Sequence, residues 1–219
     1  MPTGAAMRIA IYDLDRTLTR RATFTPFLLF AARKAAPWRL LFAPVWILAM
    51  LAYRMGTMSR ARLKLFGMRL LVGRRSRRDL ETLGAQFAAG VIEGRGLMPA
   101  TIRLLEEDRA DGARLVLATA AFDIYAAPFA DLLGFDDVVA TRWQGFDRVP
   151  DNCYADTKLA SVSEQLPALG QVHTRFVSDS FADAPLLDAV SDPIFAATSR
   201  RKAGKAAARN WRVIDPRDP

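Results

Sequence analysis

The chain of 219 residues contains few of the side chains that metal sites and nucleophilic sites most often use. It has one cysteine, Cys153, and one histidine, His173. A single cysteine excludes an intramolecular disulfide and is typical of a reducing compartment. A single histidine disfavours a histidine-rich metal site and a Ser-His-Asp triad. The chemistry of this chain must therefore depend on other polar residues.

No secretory signal is visible at the start of the chain. The segment from Met1 to Ala6 has no charged region followed by an apolar stretch, which is what a signal peptide requires. We therefore expect a cytoplasmic protein. Both Met1 and Met7 are candidates for its natural start.

Acidic residues are scarce in the first third of the chain. Residues 1–78 carry 16 Lys and Arg side chains but only two acids, Asp13 and Asp15, for a net charge of +14, whereas the remainder carries −6. Such a basic block suits an anionic partner, such as lipid headgroups, nucleic acid or a phosphorylated substrate. A solvated basic face is the alternative.

No uncharged run is long enough to cross a bilayer. The longest one, Leu40–Tyr53, has 14 residues and as a helix would extend about 21 Å, short of a ~30 Å hydrocarbon core. The pattern predicts a helical hairpin in one leaflet of an anionic membrane, and a helix buried inside an inserted domain is the alternative. Basic residues that would meet the headgroups follow the run: Arg54, Arg60, Arg62, Lys64 and Arg69.

Strand and helix patterns alternate over most of the chain. The apolar run Arg8–Tyr12 predicts a first strand, and residues 23–94 predict helices only. Since the first strand must join the later ones, we expect an α/β fold with a doubly wound parallel sheet and an inserted all-helical domain. After residue 97 the predicted helices are Ala100–Arg109, Ile124–Leu133 and Lys158–Leu166, and the predicted strands are Arg114–Ala118, Val138–Thr141, Arg175–Val177, Ile194–Ala197 and Trp211–Ile214.

Two carboxylates, Asp13 and Asp15, follow the first predicted strand. Carboxylates are costly there unless a cation or a reaction uses them, and the carboxyl ends of strands are where open α/β sheets bind ligands. The spacing provides one carboxylate that can attack or bind metal and a second that can move a proton. For an isolated pair, a polar turn is the alternative.

Three further polar features follow at predicted strand ends or helix starts. Thr119 and the neighbouring Ala120 precede a helix, where a hydroxyl and free backbone N–H groups can hold a phosphate oxygen; an ordinary N-cap threonine is the alternative. Lys158 can neutralise both a carboxylate and a phosphoryl group, or it is a surface lysine. Asp179 and Asp183 provide hard oxygen ligands that suit Mg²⁺.

Together these motifs resemble the haloacid dehalogenase (HAD) superfamily of phosphatases, in its phosphoserine-phosphatase-like subfamily IB. The resemblance covers essentially the whole chain. It implies a catalytic core of residues 1–20 and 96–219 and a helical cap of residues 21–95. The hydrophobic and basic pattern of the cap also resembles that of C-type phosphatidylglycerophosphate phosphatases. The stretches that carry the main resemblance are D-L-D-R-T-L-T, L-A-T-A, the Lys158 loop and S-D-S-F-A-D-A-P-L-L.

The resemblance implies a role for each site residue. Asp13 would attack phosphorus and become an aspartyl-phosphate. Asp15 would protonate the leaving oxygen and then deprotonate the hydrolytic water. Thr119, Ala120 and Lys158 would hold the phosphoryl group.

The resemblance also implies a metal site, and the chain departs from the family pattern at three positions. Mg²⁺ would be held by Asp13, the backbone carbonyl of Asp15 and Asp179, with Asp183 supporting that site. None of the departures removes a reacting group, and Arg16 either adds a cation near the phosphate or projects into solvent. The residues that stand where the family usually has glycine are Arg16, Ala155 and Ser178.

We therefore expect an Mg²⁺-dependent phosphomonoester hydrolase that acts on a phosphorylated lipid, such as phosphatidylglycerophosphate, at the inner face of the cytoplasmic membrane. A small soluble phosphometabolite, phosphoserine-like, is the alternative substrate. A non-catalytic module that binds membrane or nucleic acid through residues 54–78 is disfavoured, because four aspartates would repel a polyanion near the site. Base-stacking aromatics are also sparse in that region.

Overall fold

A computed structural model describes residues 7–219 of the chain. Met1–Ala6, the segment inspected for a signal, lies outside the described residues. Six strands form one sheet with the order β3-β2-β1-β4-β5-β6, and all neighbouring strands in it are parallel. The predicted doubly wound parallel sheet is thus confirmed. The strands are β1 (Arg8–Tyr12), β2 (Arg114–Phe122), β3 (Asp137–Thr141), β4 (His173–Ser178), β5 (Asp192–Ala196) and β6 (Arg212–Ile214).

Strand β1 lies in the middle of the sheet and is buried on both faces. Ala10 and Tyr12 pack into one hydrophobic cluster, whereas Ile9 and Ile11 pack into a second cluster. This division follows from the two-residue period of a strand, which sends successive side chains to opposite faces. A strand covered on both sides has a nearly continuous apolar sequence, and its carboxyl end is therefore a defined position in the centre of the molecule.

Four α-helices occupy the inserted segment between β1 and the rest of the sheet, and they confirm that this segment is helical. The helices are α1 (Phe24–Ala35), α2 (Ala43–Arg54), α3 (Arg60–Gly67) and α4 (Arg77–Glu93), and a 3₁₀ turn, Pro37–Phe42, precedes α2. The side chains of Ser59 and Ser76 cap α3 and α4 by accepting hydrogen bonds from backbone N–H groups, as serine does at many helix starts. The exact boundary between core and cap stays a prediction.

The inserted helices are held on the sheet by close packing of α4 against a later helix, α6 (Asp123–Leu133). Gly84 of α4 permits this contact, since a Cβ atom there would lie 2.0 Å from the Ile124 carbonyl oxygen. Aromatic rings fill the space beside it: Phe27 stacks on Tyr125 with ring centres 4.6 Å apart, and Phe87 meets Tyr125 edge-on. The helical region and the sheet therefore share one core.

The uncharged run Leu40–Tyr53 is mostly a surface of the helical region rather than its interior. Only Trp46 and Ala49 are buried within it, while Leu41 and Leu48 are 80% and 65% exposed. Among residues 7–219 no helix has the length and apolar character needed to cross a membrane. We call this surface the apolar face, and its members are Trp38, Leu41, Phe42, Val45, Ile47, Leu48, Leu51 and Met55.

The second half of the chain differs from the prediction at two places. Strand β2 continues beyond Ala118 to Phe122, because its pairing with β3 resumes at Phe122 after an irregularity that follows Thr119. Two short helices, Ala184–Ala189 and Arg200–Ala207, were also not predicted. The helices of this half are α5 (Pro99–Ala110), α6 (Asp123–Leu133), α7 (Asp156–Gln165), α8 (Ala184–Ala189) and α9 (Arg200–Ala207).

Candidate active site

The first candidate residue, Asp13, lies directly after β1. Its backbone N–H donates to the Val177 carbonyl at 2.9 Å, which extends the pairing of β1 with β4 by one residue. The chain then turns sharply, and Arg16 has a φ of 62°. This left-handed conformation explains the glycine that the family usually has here, since glycine adopts it without strain. The Arg16 side chain is exposed and lies at the cavity described below.

Lys158 is buried between two carboxylates. Its Nζ donates to Asp13 Oδ1 at 2.9 Å and to Asp183 Oδ2 at 2.8 Å. Burial disfavours the ammonium, but the two carboxylates outweigh this effect and raise the pKa of Lys158 above its ordinary value. The alternative of a surface lysine is therefore wrong.

The carboxyl group of Asp13 is subject to opposing effects. Burial raises its pKa, the Lys158 ammonium lowers it, and the neighbouring carboxylates of Asp183 and Asp15 raise it further, so that the net direction is upward. A divalent cation beside this group would oppose the rise by favouring the ionised form.

Asp183 is held from a second side by one of the residues that replace a family glycine. The Ser178 hydroxyl donates to Asp183 Oδ2 at 2.7 Å, on the same oxygen that accepts from Lys158. The serine therefore contributes a hydrogen bond that glycine could not make. The third replacement, Ala155, has a φ of 53°, so that here too the family glycine suits the backbone conformation.

Asp15 is positioned by a residue that the motif did not include. Its Oδ1 accepts from the backbone N–H of Thr23 at 2.7 Å and from the Thr23 hydroxyl at 2.6 Å. Thr23 directly precedes α1. Its only signal in the sequence was a threonine at the start of the predicted helical segment.

Asp179 is linked both to Asp13 and to a distant lysine. Thr17 Oγ1 accepts from the Asp179 backbone N–H at 3.0 Å and lies 3.5 Å from Asp13 Oδ2, to which it donates. Lys202 Nζ donates to Asp179 Oδ2 at 3.0 Å and to its carbonyl oxygen at 2.9 Å. The sequence did not predict Lys202, which lies in α9, as a residue of this site.

Thr119 lies inside β2, so it neither precedes α6 directly nor caps it. Phe122 occupies the N-cap position of α6. The Thr119 side chain is buried, and its Oγ1 accepts from the backbone N–H of Ala121 at 3.1 Å. A hydroxyl has one proton to donate, and this arrangement leaves that proton available to an oxygen in the adjoining cavity.

One cavity of about 460 Å³ collects every residue that the sequence marked for this site. Its walls also contain Arg16, which belongs to the first motif, and three side chains that the sequence did not single out for this site: Arg60, Tyr154 and Lys202. The predicted residues on its walls are Asp13, Asp15, Thr119, Ala120, Lys158, Asp179 and Asp183.

The donor set of the cavity fits Mg²⁺ through a small number of protein ligands. Among residues 7–219 no group of three or more His, Cys, Asp and Glu side chains is arranged to hold a metal. Two carboxylates, those of Asp13 and Asp179, could nevertheless act together with the Asp15 carbonyl oxygen and water. Mg²⁺ favours such a set, since it binds oxygen ligands and keeps several of its waters.

A parallel α/β sheet with a buried lysine and several carboxylates at the carboxyl end of its central strands has a candidate ligand site where such folds bind their ligands. The particular family is given by comparison with known proteins. The chain belongs to the haloacid dehalogenase-like hydrolase family, whose model matches residues 10–188.

Individual relatives cover this chain to different extents. The "Inhibition of morphological differentiation protein" of Streptomyces azureus is 31% identical over 123 residues, which are 51% of this chain and 43% of that protein. The chain thus matches less than half of the length of this relative. A protein of unknown function from Bordetella pertussis Tohama I is 27% identical, covers 96% of this chain and 99% of its own, and has a TM-score of 0.81.

A further solved structure shares the fold at lower identity. It is a phosphoserine phosphohydrolase-like protein from Francisella tularensis, 17% identical, with a TM-score of 0.61 and coverage of 97% of this chain and 96% of its own. At this identity the likeness shows the fold alone.

Proposed function

We propose that the protein is an Mg²⁺-dependent phosphomonoester hydrolase and that its substrate is a phosphorylated lipid such as phosphatidylglycerophosphate. The observation that carries the phosphatase proposal is the single cavity in which Asp13, Lys158 and Thr119 converge. A carboxylate, an ammonium and a hydroxyl at one point supply a nucleophile, a counter-charge and a hydrogen-bond donor for a phosphoryl group.

The residues of the cavity can carry out both halves of the hydrolysis. Asp13 attacks phosphorus, a bond from its carboxylate oxygen to phosphorus forms, and the bond from phosphorus to the alcohol oxygen breaks while Asp15 donates a proton to that oxygen. Asp15 then takes a proton from water, which attacks phosphorus and releases phosphate and free Asp13. Lys158 and Thr119 hold the phosphoryl oxygens throughout. Bound Mg²⁺ would supply further charge neutralisation at the same cavity.

The proposal of a lipid substrate is supported by the apolar face and by the positive charge of the segments that flank it in the sequence. Exposed apolar patches of this kind commonly mark interaction sites, and the segment between Asp15 and Asp79 contains no acidic residue. Exposed basic side chains lie on both sides of the apolar face in the sequence: Arg33, Lys34, Arg54 and Arg62. Apolar and basic groups together are typical of surfaces that bind anionic membranes.

The apolar face is also close to the cavity along the chain. Met55, its last member, is followed after five residues by Arg60, which lies in the cavity wall. In this proposal a lipid that stays in the bilayer presents its phosphate to the cavity. The phosphatidylglycerophosphate-phosphatase type of cap and membership of subfamily IB belong to this proposal.

A small soluble phosphomonoester is the second candidate substrate. It is favoured by the walls of the cavity, in which polar and charged side chains outnumber apolar ones. On this alternative the apolar face would have no role in substrate delivery.

Phosphate release from phosphatidylglycerophosphate in mixed micelles and from phosphoserine in solution tests both substrates. We expect release from the lipid that chelation of Mg²⁺ abolishes and that Asp13→Asn lowers about a thousandfold or more, as the loss of a covalent nucleophile does. Asp147→Asn, at an exposed aspartate outside the cavity, is the matched control. Equal rates for wild type and Asp13→Asn would exclude Asp13 as nucleophile, and hydrolysis of phosphoserine alone would exclude the lipid proposal.

A further inference from the structure

Lys64 is a buried lysine that the proposed reaction does not use. It belongs to α3 of the inserted helices, yet its side chain reaches the sheet and is 5% exposed. Its Nζ donates to the carbonyl oxygen of Ala120 and, at 2.6 Å, to Asn152 Oδ1. The Phe122 ring centre lies 4.5 Å from the same nitrogen. None of these partners is charged, although burying an ammonium is costly without an opposite charge.

The bond to Ala120 controls the orientation of one peptide group next to the phosphate site. In a planar trans peptide the carbonyl oxygen of one residue and the N–H of the next point in opposite directions. The Ala120 carbonyl is held by Lys64 and by the Thr141 hydroxyl at 2.8 Å. The N–H on the other side of this peptide belongs to Ala121 and donates to Thr119 Oγ1. Lys64 therefore influences which way the Thr119 hydroxyl can donate.

The bond to Asn152 connects the same lysine to the loop before α7. Asn152 Oδ1 also lies 3.1 Å from Thr141 Oγ1, and Thr141 Oγ1 accepts from the Cys153 N–H at 3.1 Å. This loop leads within a few residues to Lys158. The Lys64 side chain thus contacts both the strand that carries Thr119 and the loop that leads to Lys158.

We propose that Lys64 is a positioning residue through which the inserted helices order the phosphate-binding hydroxyl of Thr119. The inference rests on the proposed phosphatase function and adds a residue to it. Arg60, one helical turn before Lys64 on α3, lies in the cavity wall. Residues four apart share one side of a helix, so a substrate that contacts Arg60 also acts on the element that holds Thr119 in place.

Inorganic phosphate binding, measured by calorimetry in Mg²⁺ buffer, tests this role without turnover. Lys64→Met keeps an unbranched side chain, one heavy atom shorter, and removes its donors, and Thr119→Val removes the hydroxyl. We expect Lys64→Met to weaken phosphate binding about tenfold, the size of a lost hydrogen-bond contribution. In the Thr119→Val background, Lys64→Met should have almost no effect on phosphate affinity, because the effects of two substitutions that act through the same group are not additive.

A matched control separates this role from general stability. Arg77 also joins an inserted helix to the sheet region, through Asp123 Oδ2 at 2.9 Å and the Trp143 carbonyl at 3.3 Å, and it does not line the cavity. Arg77→Met should lower the melting temperature and leave phosphate affinity unchanged. If Lys64→Met does not fold, Lys64→Gln is used in the same comparison.

Hydrolysis of p-nitrophenyl phosphate by the same variants separates a failure of the Lys64 role from a failure of the phosphatase function. If wild type binds phosphate and hydrolyses the ester while Lys64→Met matches it in affinity, the Lys64 inference is wrong and the phosphatase function stands. The inference is also wrong if the losses of phosphate affinity caused by Lys64→Met and by Thr119→Val are fully additive in the double variant. If wild type neither binds phosphate nor hydrolyses the ester, the phosphatase proposal fails and the Lys64 inference fails with it.

Discussion

At the scale of single residues, two departures from the family pattern lie where the backbone has a positive φ. Arg16 (φ 62°, ψ 5°) lies near the left-handed α region, which costs an L-residue roughly 1–2 kcal/mol. Ala155 (φ 53°, ψ −126°) lies in a different region, which glycine enters without strain and other residues rarely adopt. The chain keeps its reacting groups but accepts this strain beside them. The third departure, Ser178, is compensated by its hydrogen bond to Asp183.

Ala155→Gly should increase the free energy of unfolding by about 1 kcal/mol, because glycine relieves the positive φ. The matched control is Ala160→Gly, at an exposed position inside α7, where glycine should cost about 1 kcal/mol. Urea unfolding of the two variants and wild type measures both effects. A loss of stability in Ala155→Gly would show that the alanine methyl group contributes more than the strain costs.

Lys64 should also make stability depend on pH. Burial, followed by the nearby charge of Arg60, lowers the pKa of Lys64 from 10.5 to about 7, and the opposing effects of Asp15 and Cys153 are smaller. Between these two pH values the unfolded chain binds a proton that the folded chain does not. The free energy of unfolding therefore rises with pH across this window, by up to about 1.4 kcal/mol per pH unit from this group.

Urea unfolding of wild type and Lys64→Met at several pH values from about 7 to 10 isolates this contribution, since other titrating groups are common to both proteins. We expect a steeper rise in wild type. Parallel curves would mean that folding does not change the protonation of Lys64.

At the scale of elements, α2 is the clearest case of a helix that the fold leaves uncovered. Val45, Leu48 and Leu51 recur every three residues, so that they lie along one side of the helix, and all three are exposed. Trp46 and Ala49 provide the contact with the rest of the molecule. A helix that is apolar almost all round would ordinarily be buried or meet a membrane.

Leu48→Glu should weaken binding to vesicles rich in phosphatidylglycerol, because it places a negative charge in the apolar face. Leu132→Glu is the matched control: Leu132 is 55% exposed on α6 and does not belong to the apolar face. Cosedimentation at low salt and at about 1 M salt, where charges are screened within ~3 Å, separates the apolar from the basic contribution. Equal binding by both variants would exclude α2 as the docking element.

At the scale of the whole molecule, the contact between α4 and α6 decides whether the inserted helices sit correctly over the sheet. Gly84 lies at that contact and Gly90 of the same helix has open space around it. A glycine-to-alanine substitution can therefore be made at Gly84, inside the contact between α4 and α6, and at Gly90, outside it.

Gly84→Ala should lower the free energy of unfolding by about 1–3 kcal/mol, as overpacking does, because its Cβ would meet backbone that cannot move aside. Gly90→Ala should raise it by about 0.5–1 kcal/mol through better helix propensity. Thermal unfolding of the two variants gives the comparison. Two stabilised variants would show that α4 can shift away from α6 at little cost.

The candidate site was predictable to the extent that it consists of short motifs at strand ends. Asp13 and Asp15 follow β1, and Asp179 and Asp183 follow β4, so each pair could be placed from local patterns. Local patterns could not predict the roles of Thr23, Lys64 and Lys202, because nothing near these residues in the sequence indicates the carboxylate or carbonyl that each one contacts. The end of β2 was misplaced for a similar reason, since its last residues depend on pairing with β3.

The sequence by itself determined the parallel sheet, the helical insertion and the main candidate residues of the site, because hydrophobic periodicity and strand-end motifs are properties of neighbouring residues. Only the tertiary structure decided which charges pair and which apolar residues stay exposed. Lys158 and Asp13 are 145 positions apart, and Lys64 meets Ala120 across 56 positions. Such contacts depend on how whole elements pack against one another, and no local pattern records that packing.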